Sequence, residues 1–143
     1  MKLLVAIDLS ESTEKIIEKT LGLAKALSAK IWLVHIAEPE PDFVGLDVGP
    51  QYERDALSEK FHREHAELQA IAERLRKEDL ETTALLIQGV TVESILKEVA
   101  KLDPDMVVVG SHGGGAMRQL LVGSVSEGVL RKVDCPVLVI PTR

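Results

Sequence analysis

A chain of 143 residues, 45% of them apolar, is long enough to form one domain with a single hydrophobic core, and we treat residues 1–143 as that domain. The formal net charge of −6 argues against general binding to nucleic acid, and the single cysteine, Cys135, excludes an internal disulfide and a four-cysteine zinc site. We find no apolar segment long enough to cross a membrane and no cleavage site of small residues after the apolar N-terminus, so we expect a cytoplasmic protein.

Five short apolar runs predict five β-strands. They are rich in β-branched residues and nearly continuous, rather than alternating between apolar and polar positions. This pattern is typical of strands that are covered on both faces, and therefore of a parallel sheet. In chain order the runs are residues 3–7, 31–36, 83–87, 106–109 and 137–140.

The segments between these runs have the spacing of amphipathic helices. Ser10 or Ser12 is placed to cap the first helix, the second covers residues 52–77, the third starts at Thr91 as its cap, and the fourth starts at Ser124. Alternating strands and helices indicate right-handed crossovers and an α/β domain with helices on both faces of an open sheet. The residues expected on the inner helix faces are Ile17, Thr20, Leu21, Ala24 and Leu27, then Leu57, Phe61, Leu68, Ile71 and Leu75, then Val92, Ile95, Leu96 and Val99, and finally Val125, Val129 and Leu130.

One connection is longer than a compact domain normally uses. Residues 38–51 contain Pro39, Pro41, Pro50 and two glycines. The segment is either an excursion over the surface or a flap over a ligand site, and the sequence leaves both possibilities open.

A glycine-rich pattern follows the fourth predicted strand. Gly110-Ser111-His112-Gly113 is separated by nine residues from Gly123-Ser124. Glycines let a backbone approach a bulky anion, and successive N–H groups in such a turn form an anion-binding concavity. Open α/β sheets also place their ligands at the carboxyl ends of strands. The pattern predicts a phosphate-binding loop, and the alternative is a tight turn without a ligand.

The helix after this loop supports the same prediction. Ser124-Val125-Ser126-Glu127 matches the S-x-x-E capping box, and a helix N-terminus adds free N–H groups and partial positive charge. The chain has neither the Walker pattern with its phosphate-binding lysine nor a dinucleotide fingerprint after the first strand. Backbone groups and hydroxyls would therefore hold the phosphates. No set of nucleophile, base and acid stands at a recognisable spacing.

The glycine-rich pattern and the strands around it resemble the ATP-binding branch of the universal stress protein family. Two positions depart from that family: Gly114, where many members have arginine, and Leu9, where many have glycine. The resemblance implies strand order 3-2-1-4-5 and a homodimer. It extends along the chain through Val5-Ala6-Ile7-Asp8, Leu33-Val34-His35-Ile36, residues 107–113, residues 121–126 and Cys135-Pro136-Val137-Leu138-Val139-Ile140.

The resemblance also implies a role for each site residue. Asp8 and the backbone of Ala6 would contact the adenosine, and the backbone of Ile36 would meet the edge of the adenine. From the residues alone, Asp8 either binds a ribose hydroxyl or caps the next helix, and His35 is a core or strand-end histidine. His112 either donates to a phosphate or points to solvent. The residues implied to hold ribose and phosphates are Gly110, Ser111, His112, Gly113, Gly123, Ser124, Val125 and Ser126.

The predicted function is binding of ATP, with Mg²⁺ or Mn²⁺ bridging the phosphates, in a stress-response regulator that hydrolyses little or no ATP. The alternatives are a slow ATPase or phosphotransferase, and a binder of AMP or cyclic AMP. Such a regulator implies a protein partner, which the sequence does not identify. The last strand should lie at the sheet edge, where its unpaired backbone groups would pair with a second copy. The residues of this predicted dimer contact are Val137, Leu138, Val139 and Ile140.

Overall fold

The computed structural model describes residues 1–38, 51–111 and 124–142, with the backbone alone at residues 51–54. These residues form five strands and four helices that alternate along the chain, and each strand bound lies within one residue of the predicted one. The strands are β1 (Lys2–Ile7), β2 (Lys30–Ala37), β3 (Thr82–Gln88), β4 (Met106–Gly110) and β5 (Val137–Ile140); the helices are α1 (Thr13–Leu27), α2 (Gln51–Lys77), α3 (Thr91–Leu102) and α4 (Ser124–Lys132).

All five strands are parallel and lie in the order β3-β2-β1-β4-β5, which confirms the predicted open α/β sheet. β1 is central: its Leu4 is paired with Trp32 of β2 on one side and with Val107 of β4 on the other. The chain proceeds from β1 outward to β3 and then returns to β4, so the strand order reverses beside β1. Ligands of open α/β sheets bind at such a reversal, beyond the carboxyl ends of the strands.

Helices cover both faces of the sheet. On one face Ile17 of α1 and Leu75 of α2 are buried in the same cluster as Leu33 of β2. On the other face Ile95 of α3 and Val129 of α4 belong to a second cluster. Because successive strand residues point to opposite faces, a strand that is covered on both sides has to be apolar throughout. This explains the nearly continuous apolar runs in the sequence.

Two residues expected on inner helix faces are exposed. Leu27 is the last residue of α1 and is 36% exposed, and Leu130 in α4 is 44% exposed. In α4 the buried positions are Ser126 and Val129, and Leu130 lies at the margin of the face that they define. The inner face of α4 therefore includes Ser126, a polar residue that was not predicted there, while Leu130 is exposed.

The start of α3 differs from the prediction. Thr91 is the first residue of the helix rather than its cap, and Val90 holds the cap position without a side-chain hydrogen bond. The carboxylate of Glu38, just after β2, takes this role: its Oε1 accepts the Thr91 N–H at 3.0 Å and the Thr91 hydroxyl at 2.5 Å. These bonds, first of all the one from the hydroxyl, hold the pKa of Glu38 below its ordinary value.

Two predicted features fall outside the described residues. They are the excursion after Glu38, residues 39–50, and the loop of residues 112–123. Within the ranges that are described, no helix combines the length and the apolar composition that a membrane span requires.

Candidate functional site

A cavity of about 180 Å³ opens at the carboxyl ends of β1, β2 and β4, between the first turns of α3 and α4. It therefore lies where the strand order reverses. The structure brings seven of the predicted site residues to it, and their contacts with a ligand stay a prediction. Among the described residues these seven are Ala6, Asp8, Ile36, Gly110, Ser124, Val125 and Ser126.

The remaining lining residues were not predicted from the sequence, because a residue that lines an apolar wall has the same periodicity as a core residue. For Val34 alone, the periodicity of the strand could have predicted a place in the cavity wall. Once Ile36 is placed at the site, Val34 follows two positions earlier on the same face of β2. The further residues that the structure adds are Ile7, Ile16, Thr91, Ile95 and Val109.

A hydrogen bond joins Gly110, the last residue of β4, to the first turn of α4. The hydroxyl of Ser126, which is buried, donates a hydrogen bond to the Gly110 carbonyl. A Cβ at Gly110 would lie 2.8 Å from Ile16 Cδ1 and 3.1 Å from Thr142 Cγ2, so close packing favours glycine here. Because Ser126 uses its only proton within the protein, its hydroxyl can act toward a ligand only as an acceptor.

The first turn of α4 presents backbone donors to the cavity. The first N–H groups of a helix have no partner within the helix, and Ser124, the first residue of α4, lines the cavity. Glu127, predicted to complete a capping box, instead accepts hydrogen bonds from Arg131 Nη2 at 2.7 Å and Nε at 3.2 Å. The donors of this turn thus face the same space as Gly110.

Ser111 has a structural role in the described part of the chain. Its N–H donates to the Ile140 carbonyl at 2.8 Å, and its hydroxyl accepts the Thr142 N–H at 3.1 Å. Ser111 is buried and is not one of the described residues that line the cavity. It fixes the end of β4 to β5 and to Thr142 beyond it.

Asp8 follows β1 directly and organises a turn at the rim of the cavity. Its Oδ1 accepts the Ser10 N–H at 3.0 Å and the Ser10 hydroxyl at 2.5 Å. Ser12 occupies the cap position of α1 without a side-chain cap bond. Leu9 has φ of 59°, in the left-handed region that favours glycine. Asp8 therefore stabilises the turn that precedes α1, at a backbone conformation that explains the glycine of similar sequences.

A second, more open space of about 610 Å³ adjoins the first and shares Asp8, Ile36 and Thr91 with it. It lies at the carboxyl ends of β2 and β3, beside α2. His35 is buried in its wall, and its Nε2 lies 3.0 Å from Glu64 Oε2 of α2. This agrees with the expectation of a core or strand-end histidine, but nothing in the sequence indicated the contact with α2.

Three predicted site residues, His112, Gly113 and Gly123, lie outside the described residues, so their contacts stay predictions. Across the described ranges, no group of three or more histidine, cysteine, aspartate or glutamate side chains is placed to hold a metal ion. Cys135 is half-buried, and burial raises the pKa of its thiol.

Comparison with known proteins agrees with this architecture. The profile of the "Universal stress protein family" matches residues 1–141. The Thermus aquaticus protein named universal stress protein in QAH/OAS sulfhydrylase 3′ region is 33% identical over 144 residues, and the match covers 96% of each chain.

Solved structures share the fold. Protein MJ0577 of Methanocaldococcus jannaschii matches with a TM-score of 0.84 at 22% identity, over 99% of this chain and 96% of that one. A universal stress protein in complex with cAMP matches at 0.70 and 19% identity, over 100% and 98% of the chains. The Archaeoglobus fulgidus universal stress protein in complex with dAMP matches at 0.64 and 20% identity, over 98% and 97%. With the profile match over nearly its whole length, this chain belongs to the universal stress protein family.

Proposed function

We propose that this chain binds ATP in the cavity of about 180 Å³ and acts as a nucleotide-dependent regulator of the stress response. The observation that carries the proposal is the composition of the cavity lining: apolar side chains combine with a carboxylate, Asp8, and with a glycine and a helix N-terminus at Gly110 and Ser124. The helix N-terminus favours an anion, and the carboxylate favours a neutral, hydrogen-bonding group. The relatives solved with cAMP and dAMP support an adenine nucleotide as the ligand class.

In this proposal the nucleoside lies toward Asp8 and β2. Asp8 uses Oδ1 for its own turn, which leaves Oδ2 for the adenosine. The backbones of Ala6 and Ile36 meet the base, and Val34 contributes to the apolar wall. Asp8→Asn should preserve the turn, since an amide oxygen can accept the same bonds, while Asp8→Ala should lose both the turn and the contact.

The phosphates lie against Gly110 and the N–H groups of Ser124, Val125 and Ser126. Ser111 supports this loop through Thr142. A divalent cation bound with ATP would neutralise part of the negative charge of the phosphates. Because the described residues offer no cluster of metal ligands, Mg²⁺ or Mn²⁺ would be held chiefly by the phosphates. The glycine pattern of the sequence adds His112, Gly113 and Gly123 to the proposed phosphate contacts.

Calorimetry with glycine variants tests the proposal. Gly113→Val and Gly123→Val should block the approach of the phosphates through a Cβ clash and abolish ATP binding. Gly22→Ala is the matched control, because an added Cβ at exposed Gly22 has no neighbour within 4 Å. Folded Gly113 and Gly123 variants that bind ATP as tightly as the parent would show that the site is assigned wrongly. Mass spectrometry of ligand released from the purified protein identifies the natural occupant.

A binder of AMP or cyclic AMP is the second candidate, and the cAMP and dAMP complexes of the relatives favour it. Calorimetric titration with ATP, AMP and cyclic AMP separates the two. ATP has two more phosphates than AMP for the donors of the loop and α4, so ATP should bind most tightly of the three. Tighter binding of cyclic AMP would replace the first candidate with the second.

We infer that ATP acts at this site as a signal rather than as a substrate. Phosphoryl transfer needs stabilisation of the charge that develops in the transition state, and the sequence has no Walker lysine to provide it. A site that binds ground state and transition state equally does not accelerate chemistry. Turnover at saturating magnesium and ATP should stay well below about 1 per second, the low end of typical enzymes. A faster rate that disappears in Gly123→Val would make the protein an ATPase.

We also propose a homodimer through β5. Along the described residues β5 pairs with β4 on one side, and its other side is a sheet edge. The strand is apolar and has no charged residue to discourage pairing. Two such edges can meet around a two-fold axis, with Val137, Leu138, Val139 and Ile140 at the contact.

A further inference from the structure

Two helix N-termini line the same cavity. Thr91, the first residue of α3, and Ser124, the first residue of α4, are both among its lining residues. The N-terminus of a helix has backbone N–H groups without a partner in the helix and carries partial positive charge, so each of the two attracts an anion. Which of them holds the phosphates therefore decides the direction in which a nucleotide lies in the cavity.

The N-terminus of α3 already holds an anion from the protein itself. Oε1 of Glu38 accepts the Thr91 hydroxyl at 2.5 Å and the Thr91 N–H at 3.0 Å. These bonds, first of all the one from the hydroxyl, hold the pKa of Glu38 below its ordinary value, so the side chain is a carboxylate at neutral pH. A phosphate oxygen at this helix end would need the same N–H and would meet a like charge.

The N-terminus of α4 holds no such carboxylate among the described residues. Glu127, the acidic residue of its first turn, accepts hydrogen bonds from Arg131 instead, from Nη2 at 2.7 Å and from Nε at 3.2 Å. The hydroxyl of Ser126 donates to the Gly110 carbonyl. In the described part of the chain, neither side chain occupies the backbone N–H groups of the turn, which stay available to a ligand.

The charges beside α3 increase the difference between the two helix ends. The adjoining space of about 610 Å³ shares Thr91 with the cavity, and its charged lining residues within the described ranges are Asp8, Glu38, Glu64 and Lys60. Carboxylates outnumber the lysine there by three to one. This side of the cavity therefore disfavours a phosphate more than the side at α4 does.

We propose that Glu38 is a positioning residue for the nucleotide: its carboxylate occupies the N-terminus of α3 and so directs the phosphates to α4. The inference rests on the proposed nucleotide site and adds what decides the orientation of the ligand there. The side of the cavity near β2 is left to the nucleoside, a neutral group that can donate hydrogen bonds to carboxylates. Without Glu38, the two helix N-termini compete for the phosphates and the nucleotide loses its single orientation.

Inorganic phosphate tests the role of Glu38 without nucleotide. In ¹⁵N–¹H NMR spectra of the ligand-free wild type, phosphate should shift the amide signals of Ser124, Val125 and Ser126 and leave that of Thr91 in place. In Glu38→Ala the Thr91 signal should shift as well, because its N–H is then open to the anion. Glu38 is exposed and belongs to neither hydrophobic cluster, so this variant should fold.

Two control variants separate the position of the carboxylate from its charge. Glu38→Gln removes the charge but keeps an oxygen that can accept both bonds from Thr91, so the Thr91 amide should still not respond to phosphate. Glu93→Ala removes a charge from the same first turn of α3 and should behave as the wild type does. A Thr91 signal that shifts equally in the wild type and in Glu38→Ala, or in neither, would overturn the positioning role. A control that responds as strongly as Glu38→Ala would do the same.

Adenosine binding tests the consequence for the ligand. Calorimetry should find that phosphate does not weaken adenosine binding to the wild type, because the phosphate binds at α4 and the adenosine beside β2. In Glu38→Ala the phosphate at α3 should compete, and a competitor at about nine times its own dissociation constant lowers the apparent affinity about tenfold. Glu38→Gln and Glu93→Ala should follow the wild type. The same effect of phosphate on the wild type and on Glu38→Ala would contradict the proposed orientation.

The outcomes separate this inference from the proposed function. If no variant binds ATP or adenosine and phosphate shifts no amide of α4, the proposed function is wrong. The Thr91 amide of the ligand-free protein still decides by itself whether Glu38 excludes an anion from α3.

Discussion

Gly110 lies where the backbone at the end of β4 passes close to two side chains. A Cβ there would be 2.8 Å from Ile16 Cδ1 and 3.1 Å from Thr142 Cγ2. Ile16 also lines the cavity, so any side chain at Gly110 displaces a wall of the site. The neighbouring bond from Ser126 to the Gly110 carbonyl ties the same point to α4.

We predict that Gly110→Val lowers the free energy of unfolding by about 1–3 kcal/mol through overpacking. The loss in the free energy of ATP binding should be at least as large. Urea unfolding and calorimetry measure the two effects. Gly22→Ala is the control, since Gly22 is exposed within α1 and its added Cβ meets nothing within 4 Å. That variant should gain about 0.5–1 kcal/mol and keep wild-type binding. A Gly110→Val protein as stable as the parent would contradict the close packing.

Some roles of single residues were predictable from the sequence, and others were not. The pattern predicted one site for Asp8, Gly110 and Ser124, and these residues line one cavity because the order of parallel strands places their carboxyl ends together. It could not tell that Ser111 turns to Thr142, since the partner is 31 positions away and its position follows from packing. The direction of a hydroxyl is decided by such contacts, not by its neighbours in the chain.

At the scale of elements, the start of α3 depends on a carboxylate from another element. Glu38 accepts the N–H and the hydroxyl of Thr91, and both bonds keep its pKa low. A depressed pKa means that the folded state stabilises the ionised carboxylate more than the unfolded state does. Glu38 therefore contributes stability at neutral pH, and this contribution is lost as the pH falls through its depressed pKa.

We predict that Thr91→Val raises the pKa of Glu38 toward its ordinary value, because the hydroxyl bond is the largest cause of the depression. The fall in stability on acidification should become shallower in this variant. Carboxyl ¹³C NMR titration gives the pKa, and urea unfolding at neutral and acid pH gives the stability. Thr83→Val, at an exposed position of β3, should leave both unchanged. An unaltered Glu38 titration in Thr91→Val would refute the capping role.

The elements themselves were predictable, but their capping was less so. Apolar runs place each strand within one residue, because burial on both faces demands apolar residues throughout. Ser10 or Ser12 was predicted to cap α1 and Thr91 to cap α3, yet the cap positions are held by Ser12 and Val90, and neither makes a side-chain cap bond. The cap of α3 comes from Glu38, 53 residues earlier in the chain, and local propensity has no access to such a partner.

At the scale of the whole molecule, successive N–H groups of β5 point alternately to β4 and to the open edge of the sheet. Substitutions that affect folding can therefore be distinguished from substitutions that affect assembly. Val107 N–H donates to the Pro136 carbonyl at 2.9 Å, and Ser111 N–H donates to the Ile140 carbonyl at 2.8 Å. In a parallel ladder the N–H and C=O of one residue point to the same side. Leu138 therefore directs its N–H toward β4, and Val139 directs its N–H to the open edge.

We predict that Val139→Pro weakens the proposed homodimer and costs the fold less than Leu138→Pro does, because it removes a donor from the open edge rather than from the ladder with β4. Leu138→Pro is the matched control: it removes a donor to β4 and should destabilise the fold by about 1–3 kcal/mol. Sedimentation gives the oligomeric state and urea unfolding the stability. A wild-type monomer at micromolar concentration, or a Val139→Pro dimer as tight as the parent, would contradict assembly through this edge.

The sequence by itself determined the fold class and the positions of the strands, and it predicted seven of the described residues that line the cavity. These follow from burial, which repeats along the chain with the period of each element, and from the glycines and serines that resemble one family. Only the tertiary structure decided the contacts of individual polar groups: Glu38 on α3, Ser111 on Thr142, and His35 between Ile7 and Glu64. Each joins residues far apart in the chain, and a directional bond exists only after packing has brought donor and acceptor within about 3 Å.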